Sequence, residues 1–199
     1  MTATGNHIAG VDKRSAGPGR PRSFDEGAAL DAAMRVFWEQ GFEATSLEDL
    51  TKAMGLSKSS FYAAFGCKQT LFLRAVDHYS RRAIRTLKEV AETAEGDAMD
   101  AMMQALANPD GGSKGCLLIN CITELAPHDE KVAEIGRRHI ENIEEIFAKT
   151  LDPGSPDAAR DKASAYYSLA IGTLALRKAG IPPERIARTL QQARSVLST

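Results

Sequence analysis

The chain has 199 residues, of which 43% are hydrophobic and 26% are charged, and its formal net charge is -1. This length suits a small module beside a larger one, each able to bury apolar side chains, and the near-neutral charge excludes a uniformly basic protein. The few cysteines and the absence of a secretory leader pattern predict a cytoplasmic location without a disulfide framework.

Residues 1–22 form the first segment, which is rich in small and polar residues and has no apolar periodicity. This composition predicts a disordered arm. The arm carries a basic excess that includes Arg20 and Arg22, whereas residues 86–199 carry more acidic than basic side chains. Such a distribution would turn the arm toward a nucleic acid, although a solubilising tail is the alternative reading.

Apolar residues at helical spacing predict a first helix over residues 25–40, which Gly41 would end. The next helix is expected to begin at Ser46, because this serine stands three residues before Asp49 in the pattern of a capping box. Gly55 is suited to the left-handed conformation that ends a helix.

A third helix is predicted from Lys58, with Ser57 as its cap, directly after the short turn that follows Gly55. Two helices joined by such a short turn are typical of a helix-turn-helix unit. At about 100° per residue, Phe61 and Phe65 lie on one side of this helix and are expected to be core. The opposite side carries the small and polar residues Ser59, Ser60 and Ala63.

A long helix is predicted from Lys68 to residue 94, and its first turn favours a phosphate because both free amides and an ammonium group lie there. Further helices are predicted over 97–107, 116–125, 129–151, 156–179 and 183–197. No strand pattern is found, so the fold class is all-α with about nine helices. The longest nearly apolar run, residues 166–176, is too short to span a bilayer.

The predicted helix after Pro156 carries a broad apolar surface that is rich in small residues and would allow close approach of another helix. We predict that it pairs with a second subunit, with burial inside the monomer as the alternative. The residues of this surface are Ala159, Ala163, Tyr166, Tyr167, Ala170 and Leu174.

Apolar and polar side chains also converge in residues 115–125, where Cys116, Asn120 and Glu124 share one helix face and Cys121 is one step around. We predict a ligand site formed by this face together with Phe147 and Tyr166. A helix start stabilises a thiolate, so Cys116 is a candidate sensor; a small buried apolar residue is the more ordinary role.

The helix-turn-helix region resembles the tetracycline-repressor (TetR) family of bacterial regulators over residues 24–72. The matching positions are Thr45, Leu50, Ala53, Gly55, Leu56, Ser57, Lys58, Tyr62, Phe65, Lys68 and Leu71. One departure is Ser59, where many relatives carry glycine, and it affects the expected base contacts.

The resemblance implies a homodimeric transcriptional repressor that binds a double-stranded DNA operator and is released by a small-molecule effector. It implies a minor-groove contact by Arg20 and Arg22, phosphate contacts by Thr45, Tyr62 and Lys68, and base contacts by Lys58, Ser59, Ser60 and Ala63. The Gly-Cys-Leu opening at Cys116 resembles a branch of the family in which such a cysteine lies near the ligand cavity.

Three regions follow from these patterns: a basic arm (1–22), a DNA-binding domain (23–67) and a ligand-binding and dimerisation domain (68–199). We expect no enzymatic activity, catalytic residue, cofactor, metal or membrane span, because phosphate-cradling, nucleophile-elbow and zinc-protease patterns are absent from the sequence. The alternatives from other classes are a thiol-dependent redox protein that uses Cys116 and a small-molecule carrier.

Overall fold

The computed structural model describes residues 24–107 and 114–197, and over these two ranges the chain forms nine α-helices and no strand. The all-α prediction is therefore confirmed. The helices are α1 (Glu26–Ala44), α2 (Leu47–Met54), α3 (Lys58–Phe65), α4 (Lys68–Thr93), α5 (Ala98–Ala107), α6 (Leu117–Glu124), α7 (Glu130–Leu151), α8 (Arg160–Lys178) and α9 (Pro183–Leu197). A single 3-10 turn, Pro156–Ala159, leads into α8.

The capping signals around α2 act as the sequence predicts. The Ser46 hydroxyl accepts a hydrogen bond from the Asp49 amide at 3.1 Å, and the Asp49 carboxylate accepts one from the Ser46 amide at 3.1 Å. Gly55 then adopts the left-handed conformation, with φ 64° and ψ 29°, and ends the helix. These local contacts set the short turn between α2 and α3.

The end of α1 has the predicted break at Gly41 and one helical turn that was not predicted. Gly41 has φ 77° and ψ 170°, but a further helical turn follows it, so the element continues to Ala44 with a kink. The turn is held because the Phe42 ring packs against Phe37 and Phe72, with centroid distances of 6.1 and 4.8 Å. The glycine thus interrupts the helix at the predicted position and bends the chain back onto the core.

A first hydrophobic cluster holds the helix-turn-helix together and extends beyond it. The buried side chains of Leu50, Phe61 and Phe65 belong to this cluster, and so do Phe72 of α4 and Leu118 of α6. The cluster continues into the first half of α7. The predicted boundary after residue 67 therefore lies beside a core that both predicted domains share.

A second cluster fills the space between α4, α5, α7, α8 and α9, and it corrects the predicted subunit interface. Five of the six residues predicted to form that interface belong to this cluster, where they pack with rings such as Phe147, and the sixth, Leu174, is buried outside it. These buried residues are Ala159, Ala163, Tyr166, Tyr167, Ala170 and Leu174.

The arm, including Arg20 and Arg22, lies outside the described residues. Among the helices of 24–107 and 114–197, none has the length and apolar character needed to cross a bilayer.

Candidate nucleic-acid interface and effector cavity

Helix α3 presents the polar face that the sequence predicts. Ser57 caps the helix by accepting a hydrogen bond from the Ser60 amide at 3.1 Å. Phe61 is 0% exposed and Phe65 is buried beside it, which fixes the rotation of the helix. The side chains opposite to these rings, Ser59, Ser60 and Ala63, are exposed, and Lys58 is exposed in the first turn of the helix. Their contacts with DNA stay a prediction.

The serine hydroxyls at the start of α3 form a small network. The Ser57 hydroxyl lies 2.9 Å from the hydroxyls of both Ser59 and Ser60. Because a hydroxyl can both donate and accept, this network leaves the exposed serines able to meet either kind of group on a base edge.

Tyr62 stands at the edge of the same surface and is 55% exposed. Its ring meets Phe61 edge-on, with centroids 5.5 Å apart and an interplanar angle of 88°. A phenol that is anchored on the core and still exposed to solvent suits a phosphate contact.

Two predicted phosphate-contacting side chains have other partners in the structure. The Thr45 side chain is buried, and its hydroxyl donates to the Gly41 carbonyl at 2.6 Å. The Lys68 ammonium donates to the carbonyls of Phe42 at 2.9 Å and Thr45 at 3.0 Å, and it lies 4.5 Å from the centre of the Phe42 ring. Lys68 therefore donates hydrogen bonds to the carbonyls at the end of α1. This role could not be predicted from its position at the start of α4.

A row of polar contacts that the sequence interpretation missed, two ion pairs and one histidine–carboxylate contact, joins α1 to α4. Arg74 of α4 pairs with Glu26, and its guanidinium also donates to the Ala64 carbonyl at 3.1 Å. One and two turns further along α4, His78 and Arg82 reach Asp31 of α1 at 3.2 and 3.4 Å. The signal was the spacing of four residues between these basic side chains, which places them on one face of α4.

A cavity of about 240 Å³ lies in the C-terminal part of the chain. Its wall includes residues of α4, α5, α6, α7 and α8, and most of the lining side chains are apolar. The polar groups on the wall come from Tyr79, Arg82, Thr86, His139 and Tyr167, together with the thiol of Cys116. An apolar cavity with a few polar groups is the usual form of a small-molecule site.

The environment of Cys116 argues against the activated thiolate that the sequence suggested. Cys116 is the residue before the first turn of α6, and its sulfur accepts a hydrogen bond from the Tyr79 hydroxyl at 3.4 Å. Burial raises the pKa of this thiol above its ordinary value, and burial also raises the pKa of Cys121 to about 12. The desolvation cost outweighs the helix start, so both thiols are protonated at neutral pH.

His139 provides a neutral polar group to the same cavity. Desolvation lowers the pKa of the imidazole to about 4, and its Nδ1 atom lies 2.9 Å from the Ser80 hydroxyl of α4. Burial likewise raises the pKa of the Tyr167 phenol. These groups can exchange hydrogen bonds with a ligand and add no charge at pH 7.

The other predicted ligand residues lie elsewhere. Asn120, Cys121 and Glu124 line a separate cleft between α1 and α6, because that face of α6 turns toward the helix-turn-helix. Phe147 and Tyr166 pack ring against ring in the second cluster, with centroids 6.4 Å apart. Within the described ranges, no group of three or more His, Cys, Asp or Glu side chains is placed to hold a metal.

Comparisons with known proteins agree with this architecture. The family model for bacterial regulatory proteins of the tetR family matches residues 29–75. The chain is 35% identical to the uncharacterized HTH-type transcriptional regulator YezE of Bacillus subtilis over 136 residues, which are 65% of this chain and 69% of YezE. It is 26% identical to the HTH-type transcriptional repressor BdcR of Escherichia coli over 192 residues, or 94% of this chain and 96% of BdcR.

Solved structures show the same fold. A cysteine mutant of the TetR-family regulator CifR, complexed with 26-bp operator DNA, superposes with a TM-score of 0.72 at 28% identity, covering 87% of this chain and 97% of CifR. The reduced form of Escherichia coli NemR superposes with a TM-score of 0.73 at 19% identity, covering 84% of this chain and 95% of NemR. The chain belongs to the TetR family and is a DNA-binding transcriptional regulator, not an enzyme.

Proposed function

We propose that this regulator is a homodimeric repressor whose α3 enters the major groove of an operator and whose release from DNA follows binding of a small molecule in the cavity. The observation that carries the proposal is the continuity of α4. This helix packs on α1 and α3 through Leu71 and Phe72, and about two turns later it forms a wall of the cavity through Tyr79. A ligand in the cavity would therefore touch the helix that supports α3.

In this proposal, residues 23–67 read DNA, and residues 68–199 bind the effector and the second subunit. Lys58, Ser59, Ser60 and Ala63 face base edges, with Lys58 directed to guanine and Ala63 to a thymine methyl group. Tyr62 and the free amides at the start of α4 contact phosphates. Arg20 and Arg22 add a minor-groove contact that gives the complex strong salt dependence.

The subunit contact is proposed on the outer face of α8 and the neighbouring face of α9. The exposed side chains along the middle of α8 are small, Ser168, Gly172 and Ala175, and Leu176 is 39% exposed beside them. A side chain added at Gly172 would meet no atom within 4 Å, so the backbone faces open space there. Small residues allow two helices to approach closely, and pairing would place two α3 helices on two half-sites.

Binding in the cavity would change operator affinity through the orientation of α4. Allosteric coupling in proteins is worth roughly 1–3 kcal/mol, which corresponds to about 5- to 150-fold in affinity. The protonated state of Cys116 removes the main support for the thiol-dependent redox alternative.

The test is selection of genomic DNA fragments by the full-length protein, followed by titration of the enriched fragment at several salt concentrations. We expect a nearly palindromic site that is bound by two subunits. Lys58→Ala should weaken this binding, whereas Lys149→Ala on the exposed surface of α7, away from both proposed interfaces, is the matched control and should not. Equal behaviour of the two variants, or the absence of any enriched fragment, would refute the proposed role of α3.

A further inference from the structure

Arg82 contacts both the cavity and the first helix of the helix-turn-helix region. Arg82 is a wall residue of the cavity, and its guanidinium also reaches the carboxylate of Asp31 on α1 at 3.4 Å. Its side chain is 43% exposed, so it stands at the mouth of the cavity and not in the deep interior. It thus connects the cavity with the helix-turn-helix.

The charge of the cavity wall indicates which ligand fits. Along the part of the chain that the structure describes, Arg82 is the only lining residue that is charged at pH 7, because His139 is neutral there and no Asp or Glu lines the wall. The remaining lining is apolar or carries neutral hydroxyl and thiol groups. A cationic ligand would find no carboxylate, whereas an anionic ligand would find one guanidinium.

The geometry also permits Arg82 to change partners. Asp31 is held by His78 at 3.2 Å as well, so its carboxylate keeps a neighbour when Arg82 turns away. Both Asp31 and Arg82 are partly exposed to water, with 30% and 43% of their side-chain surfaces accessible. Ion pairs of this kind are weak, so a ligand anion can compete for the guanidinium.

We propose that the cavity binds a small organic monoanion with an apolar body, and that its anionic group draws Arg82 away from Asp31. The apolar body lies among side chains such as Leu87, Ile143 and Leu174. Loss of the Arg82 contact removes one of the ties between α1 and α4 and loosens the support of the helix-turn-helix. This inference rests on the proposed effector cavity and adds the class of ligand and the residue that selects it.

The experiment measures binding of three carboxylates, hexanoate, benzoate and 4-phenylbutyrate, each beside its uncharged primary amide. The readout is the fluorescence of Trp38, the single tryptophan of the chain, whose ring lies 5.7 Å from that of Tyr79 on the cavity wall. Thermal unfolding of each protein–probe mixture gives a second readout. Arg82→Gln is the test variant, and Arg137→Gln, whose parent side chain pairs with Glu130 on the surface of α7, is the matched control.

We expect at least one carboxylate to bind about tenfold more tightly than its amide, as a charge-assisted hydrogen bond predicts. Arg82→Gln should abolish this preference, and a cooperative thermal unfolding transition shows that the variant is folded. Asp31→Asn should raise carboxylate affinity about threefold, because it removes one competitor for the Arg82 guanidinium. Arg137→Gln should behave like the wild-type protein.

Amides that bind as well as the acids, or a preference that survives Arg82→Gln, would overturn the monoanion inference and leave an effector cavity for neutral ligands. Failure of every probe to bind would also overturn it. Operator binding is measured on the same samples, so a protein that ignores all probes and still binds its operator refutes the ligand class without refuting the role in DNA binding.

Discussion

The helix-turn-helix and the cavity proposed to bind the effector are specified by the sequence in different ways. In the first, short-range contacts decide the structure, since Ser46, Ser57 and Gly55 each act on residues within five positions. In the second, side chains from five different helices meet around one space, and the pair that links it to α1, Asp31 and Arg82, is separated by 51 positions. The helix-turn-helix can therefore be predicted from the sequence, whereas the cavity can be identified only from the folded structure.

We expect the buried rings of α3 to fix the rotation of this helix about its own axis. Phe61→Ala should destabilise the protein by about 3–5 kcal/mol, because the ring is fully buried and its loss leaves a cavity. Tyr62→Ala, one position along, should cost only about 0.5–1.5 kcal/mol, since its ring is 55% exposed and makes one edge-on contact with Phe61. Urea unfolding of both variants measures the difference, and similar losses would contradict the assigned rotation.

A second prediction concerns the cavity wall at His139. The folded-state pKa is about 4 and the ordinary value is 6.5, so between these values the unfolded chain binds the proton and the folded chain does not. The free energy of unfolding is therefore unaffected by this imidazole above pH 6.5, and it falls as the pH decreases from 6.5 toward 4.

Lowering the pH from 7 to 5 should therefore cost the wild-type protein about 2 kcal/mol more than a His139→Gln variant. Urea unfolding of both proteins at intervals between pH 7.5 and 4.5 gives the difference in slope. Identical slopes would show that the imidazole is not desolvated in the folded state.

Lys68 and Lys58 allow a comparison between a lysine with a structural role and a lysine that is proposed to contact DNA. Lys68→Ala should lower stability by about 1–2 kcal/mol, because carbonyls at the end of α1 lose their donor. Lys58→Ala removes an exposed side chain and should leave stability nearly unchanged while weakening the operator complex. If Lys68→Ala unfolds like the wild type and only flattens the salt dependence of DNA binding, the original phosphate assignment is correct.

The smallest expected effect is at Ser60. Its hydroxyl lies on the exposed side of α3, 2.9 Å from that of Ser57, and serine discriminates weakly among bases. Ser60→Ala should change overall affinity by less than about 1 kcal/mol and shift the preferred base at one position of each half-site. A panel of operators with single-base changes measures this, and an unchanged ranking across the panel would remove Ser60 from base recognition.

Features that depend on neighbouring residues could be predicted from the sequence, whereas contacts between distant residues could not. The capping box, the glycine turn and the buried rings of α3 are local or periodic, and the structure confirms them. The role of Lys68 was not predictable in the same way, because its partners lie 23 to 26 positions earlier, across the core. The four-residue spacing of Asn120 and Glu124 correctly predicted that they share one face of α6. The sequence did not show that this face packs toward α1 and lies outside the cavity.

The central claim is that the exposed face of α3 reads duplex DNA. Its most direct test is selection of genomic fragments by the full-length wild-type protein, compared with selection by a Ser59→Ala, Ser60→Ala double variant of equal stability. We predict that the wild type enriches a nearly palindromic site and that the double variant enriches an altered one. Enrichment of the same site by both proteins, or of no site by the wild type at low salt, would contradict the claim.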